Sequence, residues 1–395
     1  MKPAVMFDMF GPYHLARLNA LGARYPTLGI EIAARSGTYD WRRIEVKAQF
    51  ERRTLFDVND SSEVSAAQIH RATAAELDRF RPDVVLVPGW TSRGAISMLR
   101  WSLNHAIPAV VMSESTRRDR LRQTWREAVK RRVLACFGAG LVGGDPQRDY
   151  LAELGMEREL IALGYDVIDN AYFSQAAGAV RADAQRLRAE VSLPERYVLA
   201  SARFIPIKNL LGLIEAFGRF RRLRPASQTH LVLLGDGPER AALEAKREQL
   251  GLDNAILMPG FKQYDRLPIY YSLADAFLHV SRNEPWGLVV NEAMAARLPV
   301  IVSKACGCTS NLVEHGENGY LVAPDDLDEI AECLARLDDD PALRARMAER
   351  SSAIIAEWGP ERFVTGATEA ASIAQQHGAR PHHPGARLLL AVLAH

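Results

Sequence analysis

Apolar residues fall along this chain in short, nearly unbroken runs separated by longer amphipathic stretches. In the first half the runs are PAVMFD (3–8), IEIAA (30–34), DVVLVP (83–88), PAVVMS (108–113), AGLVGG (139–144) and LIALGY (160–165). The pattern restarts in the second half with YVLASA (197–202), HLVLLG (230–235), AILMPG (255–260), AFLHVS (276–281), PVIVS (299–303) and GYLVA (319–323). A strand covered on one face alternates apolar with polar residues, whereas a strand covered on both faces is apolar throughout. The runs therefore predict parallel strands inside sheets with helices on both sides. The intervening stretches, such as SAAQIHRATAAELDRF (65–80) and NLLGLIEAFGRFRRL (209–223), carry the helical period. Strand–helix alternation of this kind predicts doubly wound α/β sheets. The polar, Ala- and Arg-rich stretch 174–195 has few large apolar residues and separates the two blocks, which predicts domains over 1–173 and 174–357.

A length of 395 residues suits two domains of ordinary size. Apolar residues at 48% and charged residues at 25% describe a folded chain and exclude a disordered one. The formal net charge is +1, so nothing global attracts nucleic acid, and no nucleic-acid partner is expected. The cysteines are Cys136, Cys306, Cys308 and Cys333, and the close pair Cys306-Gly-Cys308 lacks the second pair that a zinc site needs. Reduced thiols in the cytoplasm are the expectation. The N-terminus MKPAVMFDMFG has no long apolar stretch, and the last apolar run, Leu388 to Leu393, is far short of the ~18 residues of a membrane span.

One segment is locally basic. Residues 117–133 carry Arg117, Arg118, Arg120, Arg122, Arg126, Lys130, Arg131 and Arg132, with Leu121, Trp125, Val129 and Val133 near one helical stripe. Two readings follow. The stripe faces a core and the basic side is solvated, or the helix rests on the anionic inner face of a membrane and suits a lipid-linked acceptor.

Chemistry concentrates in the second half. Ser281-Arg-Asn-Glu284-Pro-Trp286-Gly287-Leu288-Val-Val-Asn-Glu292 follows a strand and opens a helix, with Pro285 placed at its start. Free N–H groups and the helix dipole near Gly287 favour an anion such as a diphosphate. Glu292, further along the helix, could accept hydrogen bonds from two neighbouring ribose hydroxyls; alternatively Glu284 merely complements the dipole and Glu292 is solvated. Arg203 and Lys208 leave the strand YVLAS, at the end where open α/β sheets bind ligands. They suit a diphosphate or are surface charges. Gly235-Asp-Gly237 is another strand-to-helix turn, either a tight turn or a ligand loop. Phe261-Lys262-Gln263 follows a further strand and could flank a base or form a plain loop.

Taken together, RFIPIKNLLGLIEAF, LLGDGPE, PGFKQ, EPWGLVVNEAMAARLPVIVS and GCTSNLVEHGENGYLVAPDD resemble the retaining glycosyltransferases of family 4, the glycosyl transferases group 1. The resemblance spans about 197–330 and includes the paired glutamates, Glu284 and Glu292, and the Arg203/Lys208 pair. It implies the α/β GT-B fold, two Rossmann-like doubly wound domains facing a central cleft. The first would bind the acceptor and the second the nucleotide sugar. A terminal helix over 358–376 would cross back to the first domain, leaving a tail at 377–395. Sugar transfer with retention is implied, from a nucleoside-diphosphate sugar to a carbohydrate, lipid-linked or small-molecule hydroxyl, without cofactor or metal. Arg203 and Lys208 would neutralise the diphosphate, Glu284 would contact the donor sugar, and the backbone around Trp286, Gly287 and Leu288 would bind phosphate. Gly235 would lie in the donor site, and Phe261 and Lys262 would flank the base.

The chain departs from the family's pattern. Ser201 and Ala202 replace the glycine before the Arg/Lys pair, and Asn311 stands where a glutamate is usual, so the resemblance does not specify the sugar. The N-terminal glycine-rich loop is reduced to Phe10-Gly11-Pro12-Tyr13-His14. Gly11 would still let backbone approach the donor, and His14 is either a packing residue or an acceptor contact. Glu114, after the strand PAVVMS, is the candidate acceptor base or a carboxylate satisfied by arginines. A GT-B sugar-nucleotide epimerase and a non-catalytic partner subunit are the competing classes. The first lacks recognisable acid/base residues here, and the second would have no reason to keep the charged set.

Overall fold

The computed structural model describes residues 1–35, 47–119, 122–378 and 390. Arg120, Leu121 and, apart from Leu390, the run 388–393 lie outside the described residues. The chain divides into two compact units, Met1–Ile168 with Gly359–His395, and Asp169–Trp358.

The first unit is built on β1 (Pro3–Phe7), β2 (Leu28–Ala33), β3 (Glu51–Phe56), β4 (Val84–Pro88), β5 (Ala109–Ser113), β6 (Ala139–Val142) and β7 (Ile161–Leu163). Among the described residues they form one parallel sheet in the order β3-β2-β1-β4-β5-β6-β7. Alternate residues of each strand enter opposite cores. Ala4, Met6, Val85 and Val87 pack on one face, and Val5, Phe7, Val84 and Leu86 on the other. This is the physical origin of the unbroken apolar runs. The second core is completed by Phe363, Val364, Ala367 and Ala370 of the helix Pro360–His377. Gly366 permits that contact, because a Cβ there would lie 2.1 Å from the Leu163 carbonyl oxygen.

The second unit repeats the design with β8 (Tyr197–Ser201), β9 (His230–Leu234), β10 (Ile256–Gly260), β11 (Ala276–His279), β12 (Val300–Ser303) and β13 (Gly319–Val322). Its order is β10-β9-β8-β11-β12-β13, again parallel. Val198, Ala200, Leu231, Leu233 and Leu278 pack there against Leu213, Phe217 and Ile330.

Three sequence expectations shift, and the side taken by Trp125 is decided. The first boundary falls five residues before the expected 173/174, because Asp169 accepts from the Tyr172 N–H and so caps the helix Asn170–Ala182. Phe173 of that helix packs edge-on to Tyr264 and Tyr271, which ties it to the second unit. Trp358 likewise lies against Trp286 at 5.4 Å, so the last crossover comes at Gly359, the N-cap residue of Pro360–His377. Strand β3 was not expected: ERRTLF is an edge strand, only half-buried, and its charges hide the strand signal. Trp125 is not on the core side of the helix Thr124–Leu134 but 63% exposed. The inward side is taken by a polar network in which Lys130 donates to the Tyr150 hydroxyl at 2.7 Å and that hydroxyl donates to Glu127 at 3.0 Å.

Candidate active site

Strands β8 and β11 are neighbours at the point where the order of the second sheet reverses. Open α/β sheets place ligands at the carboxyl ends of such a pair. The loop leaving β8 is pinned to its neighbours: the Ala202 N–H bonds the Leu234 carbonyl at 3.0 Å and the Phe204 N–H the Asp236 carbonyl at 2.8 Å. Gly235 makes this possible. Its φ is +139°, and a Cβ would sit 1.9 Å from the Ala202 oxygen. Packing therefore already requires glycine at Gly235.

Beyond the loop, Pro206–Lys208 forms a short 3-10 turn that ends at Asn209 in the left-handed region, φ 55°. The buried Asn209 amide donates to the Val280 carbonyl at 3.3 Å and the Pro324 carbonyl at 2.6 Å. This anchor aims Lys208 at the end of β11, where its Nζ pairs with Glu284 Oε2. The same oxygen lies 3.0 Å from His279 Nε2, and Ser281 Oγ lies 3.3 Å from that nitrogen. Arg203 is exposed on the β8 loop.

Glu284 is backed by a short backbone bridge to Cys306. Its N–H reaches the Ala305 carbonyl at 3.3 Å and its carbonyl accepts from Gly307 at 2.9 Å. Burial raises the pKa of its carboxyl, but His279 and Lys208 outweigh that and hold it down to about 2. Glu284 is thus ionised at every physiological pH. Pro285 does not open the helix. The helix runs Leu288–Ala295, with Gly287 as N-cap at φ 104° and no side-chain cap among the described residues. Its first N–H groups are left for solvent or an anion. Trp286 is 2% exposed, with its indole N–H on Asn291 at 3.0 Å, so its side chain belongs to the core and only its backbone could meet a ligand.

Glu292 is 1% exposed, which rules out the solvated reading. It sits among tyrosines. Burial first, and then the Glu292 charge, pushes up the pKa of the phenols of Tyr271 and Tyr264. Tyr172 stacks on Tyr264 with centroids 4.7 Å apart. Tyr264 immediately follows the Phe261-Lys262-Gln263 loop, in which Phe261 is 36% exposed. The structure therefore brings Lys208 and Glu284 together directly, and it adds His279, Asn209, Tyr264 and Tyr271. His279 was hidden inside the apolar run AFLHVS. Tyr264 could have been noticed as the residue directly after PGFKQ.

The first unit carries a different set. The Gly11 N–H donates to His14 Nδ1 at 3.1 Å and the Phe10 N–H to Glu31 at 2.9 Å. His14 also stacks on Phe7 at 4.1 Å, a packing role, and burial followed by the charge of Arg17 pushes its pKa down to about 3. Glu114 is exposed at the end of β5 and, among the described residues, meets a carboxyl, Asp166, rather than an arginine. Asp166 is fully buried, 3.5 Å from Arg17, and burial and the Glu114 charge raise its pKa well above the usual carboxylate range. Among the described residues no group of three or more His, Cys, Asp or Glu could hold a metal, and no helix is long and apolar enough to cross a membrane. All four cysteines are free and buried.

The family model described as Glycosyl transferases group 1 matches residues 183–353, nearly the whole second unit. The second unit thus resembles the glycosyl transferases group 1. Alpha-D-kanosaminyltransferase of Streptomyces kanamyceticus is 35% identical over 43% of this chain and 45% of its own length. The lipopolysaccharide core biosynthesis glycosyltransferase LpsD of Rhizobium meliloti is 32% identical over 54% and 57%. The chain thus spans about half the length of the curated relatives it matches. Among solved structures, HepE of Anabaena, in complex with UDP, aligns with a TM-score of 0.71 at 20% identity, covering 94% of this chain and 100% of HepE. Sucrose-phosphate synthase of Thermosynechococcus elongatus aligns at 0.70 and 19%, covering 93% and 98%. These likenesses give the fold as GT-B.

Proposed function

We propose that this chain transfers a sugar from a nucleoside-diphosphate sugar to an acceptor hydroxyl, with retention at the anomeric carbon and without a metal or cofactor. The carrying observation is the Lys208–Glu284–His279 cluster at the ends of β8 and β11, beside an uncapped helix start. Breaking a sugar–phosphate bond builds negative charge on the departing diphosphate. Cations and fixed N–H dipoles aimed at that charge lower the barrier. Lys208, Arg203 and the N–H groups after Gly287 would meet the diphosphate, Glu284 the sugar and Glu292 the ribose hydroxyls. With the leaving phosphate helping to take the acceptor proton, no protein base is required.

HepE is described in complex with UDP, and a relative from Streptomyces kanamyceticus with 2-deoxystreptamine glucosyl transfer, which supports a nucleotide donor and a small or glycoside acceptor. Exposed Trp125 with Arg126 over its ring at 5.2 Å supports contact with an anionic membrane surface. Titration calorimetry with UDP, GDP, ADP and their sugars tests the donor reading. One nucleotide should bind well ahead of the others, and no binding by any of them defeats it.

A further inference from the structure

We infer that His279 is the positioning residue of the site: it keeps the Glu284 carboxylate in place when Lys208 leaves it for the donor's diphosphate. This rests on the role proposed above for Lys208.

The starting point is a shared atom. Lys208 Nζ and His279 Nε2 both meet Oε2 of Glu284, and neither uses Oε1. An ionised carboxylate only accepts hydrogen bonds, so the proton between the two residues lies on His279 Nε2. The two partners differ in freedom. Lys208 sits on a flexible four-carbon stem that turns its ammonium to any nearby anion. His279 stands at the end of β11, 4% exposed, with its ring parallel to that of Phe277 within 14°. Gly287 lies against both members of the pair: a Cβ there would come 3.4 Å from Glu284 Cγ and 3.6 Å from the His279 ring. These are ordinary contact distances, so Gly287 packs against the pair, and it is the φ of 104° that calls for glycine there.

A diphosphate offers Lys208 more negative charge than one carboxylate does. On donor binding the ammonium therefore changes partner. Glu284, only 13% exposed, then depends on His279 to stay ionised and oriented beside a new anion. Without His279 it would be repelled by the diphosphate or take up a proton. Held through Oε2, it presents Oε1 to a hydroxyl of the donor sugar. His279 therefore acts after the diphosphate has bound, and on the sugar end of the donor.

The test uses the full chain as wild type, His279→Ala, His279→Gln and Lys208→Ala. Calorimetry measures UDP, GDP and ADP, and slow hydrolysis of the corresponding glucose donors gives kcat and KM. Thermal midpoints confirm that each variant is folded, and glutamine is the conservative replacement because its amide can still donate to Oε2. His279→Ala should bind the diphosphate within about twofold of wild type. Its kcat should fall about ten- to a hundredfold, the usual cost of losing a hydrogen bond to a charged group. His279→Gln should recover most of that loss, and Lys208→Ala should lose diphosphate affinity. Wild-type kcat in His279→Ala, or a His279→Gln no better than alanine, overturns the inference and leaves the donor reading standing. Failure of the wild type to bind any of the three diphosphates overturns both.

Discussion

The two sheets share a strand order, to which the first adds β7, yet the titratable groups gathered at their carboxyl ends differ. The second unit keeps charge: Glu284 is held ionised, to about pH 2, between Lys208 and His279. In the first unit Asp166 and His14 lose it, although Glu31 keeps an ion pair with Arg52 at 2.8 Å. Asp166 is pushed toward its protonated form next to Glu114, and His14 is held neutral, its pKa pushed down to about 3. A topology fixes where side chains converge but not which chemistry they carry. A departing diphosphate needs preorganised cations, whereas a neutral hydroxyl acceptor needs none. The contrast fits a donor end and an acceptor end.

The largest effects should come from the charged end. Lys208→Ala and Arg203→Ala should each cut turnover by ~10²-fold or more, as for other lost leaving-group stabilisers. Steady-state rates on folded variants check this, and a near-normal folded double variant would remove the contrast between the units. The paired glutamates should separate next. Glu292→Gln should weaken binding of the free nucleoside diphosphate by about one to two orders of magnitude. Glu284→Gln should spare the free diphosphate and impair the intact donor. Calorimetry with both ligands decides, and the reverse pattern would exchange their roles.

A smaller effect lies in acid stability. The neutral, buried His14 binds no proton until about pH 3, whereas the unfolded chain binds one near pH 6.5. The unfolded state holds more protons in that window, so stability falls as pH drops from 6.5 toward 3. Glu284 acts lower. Its contribution is complete above pH 4.5 and fades as pH falls to about 2. His14→Asn should therefore flatten the upper part of an acid-melting profile and Glu284→Gln the lower part. Two variants with the same profile would contradict the assignment. The smallest expected effect is that of EDTA, which should leave the rate unchanged. Full loss restored by a divalent cation would place a metal in the donor site.

Much of this was legible in the sequence, for a physical reason. Parallel strands buried on both faces write themselves as apolar runs, and the strand ends in the second unit carry charges within short, glycine-bounded segments. Edge strand β3, with Arg52, Arg53 and Glu51, obeys no such rule. Nor could spacing reveal partners far apart in the chain. Arg17 meets Asp166, and Lys208 meets Glu284 across 76 residues. His279 was masked by the apolar strand it ends. The choice between the two readings of Trp125 stayed open because Glu127 and Lys130 find a buried partner in Tyr150 that no periodicity encodes.

Hydrogen exchange on the full chain, with and without the best-bound nucleoside diphosphate, tests the central claim most directly. The account predicts slowed exchange in the second unit, concentrated in the loop from Ala202 to Asn209 and in the segment from Glu284 through the first turn of Leu288–Ala295. Protection confined to the ends of β1, β5 and β7 in the first unit, with those two segments unchanged, would contradict it.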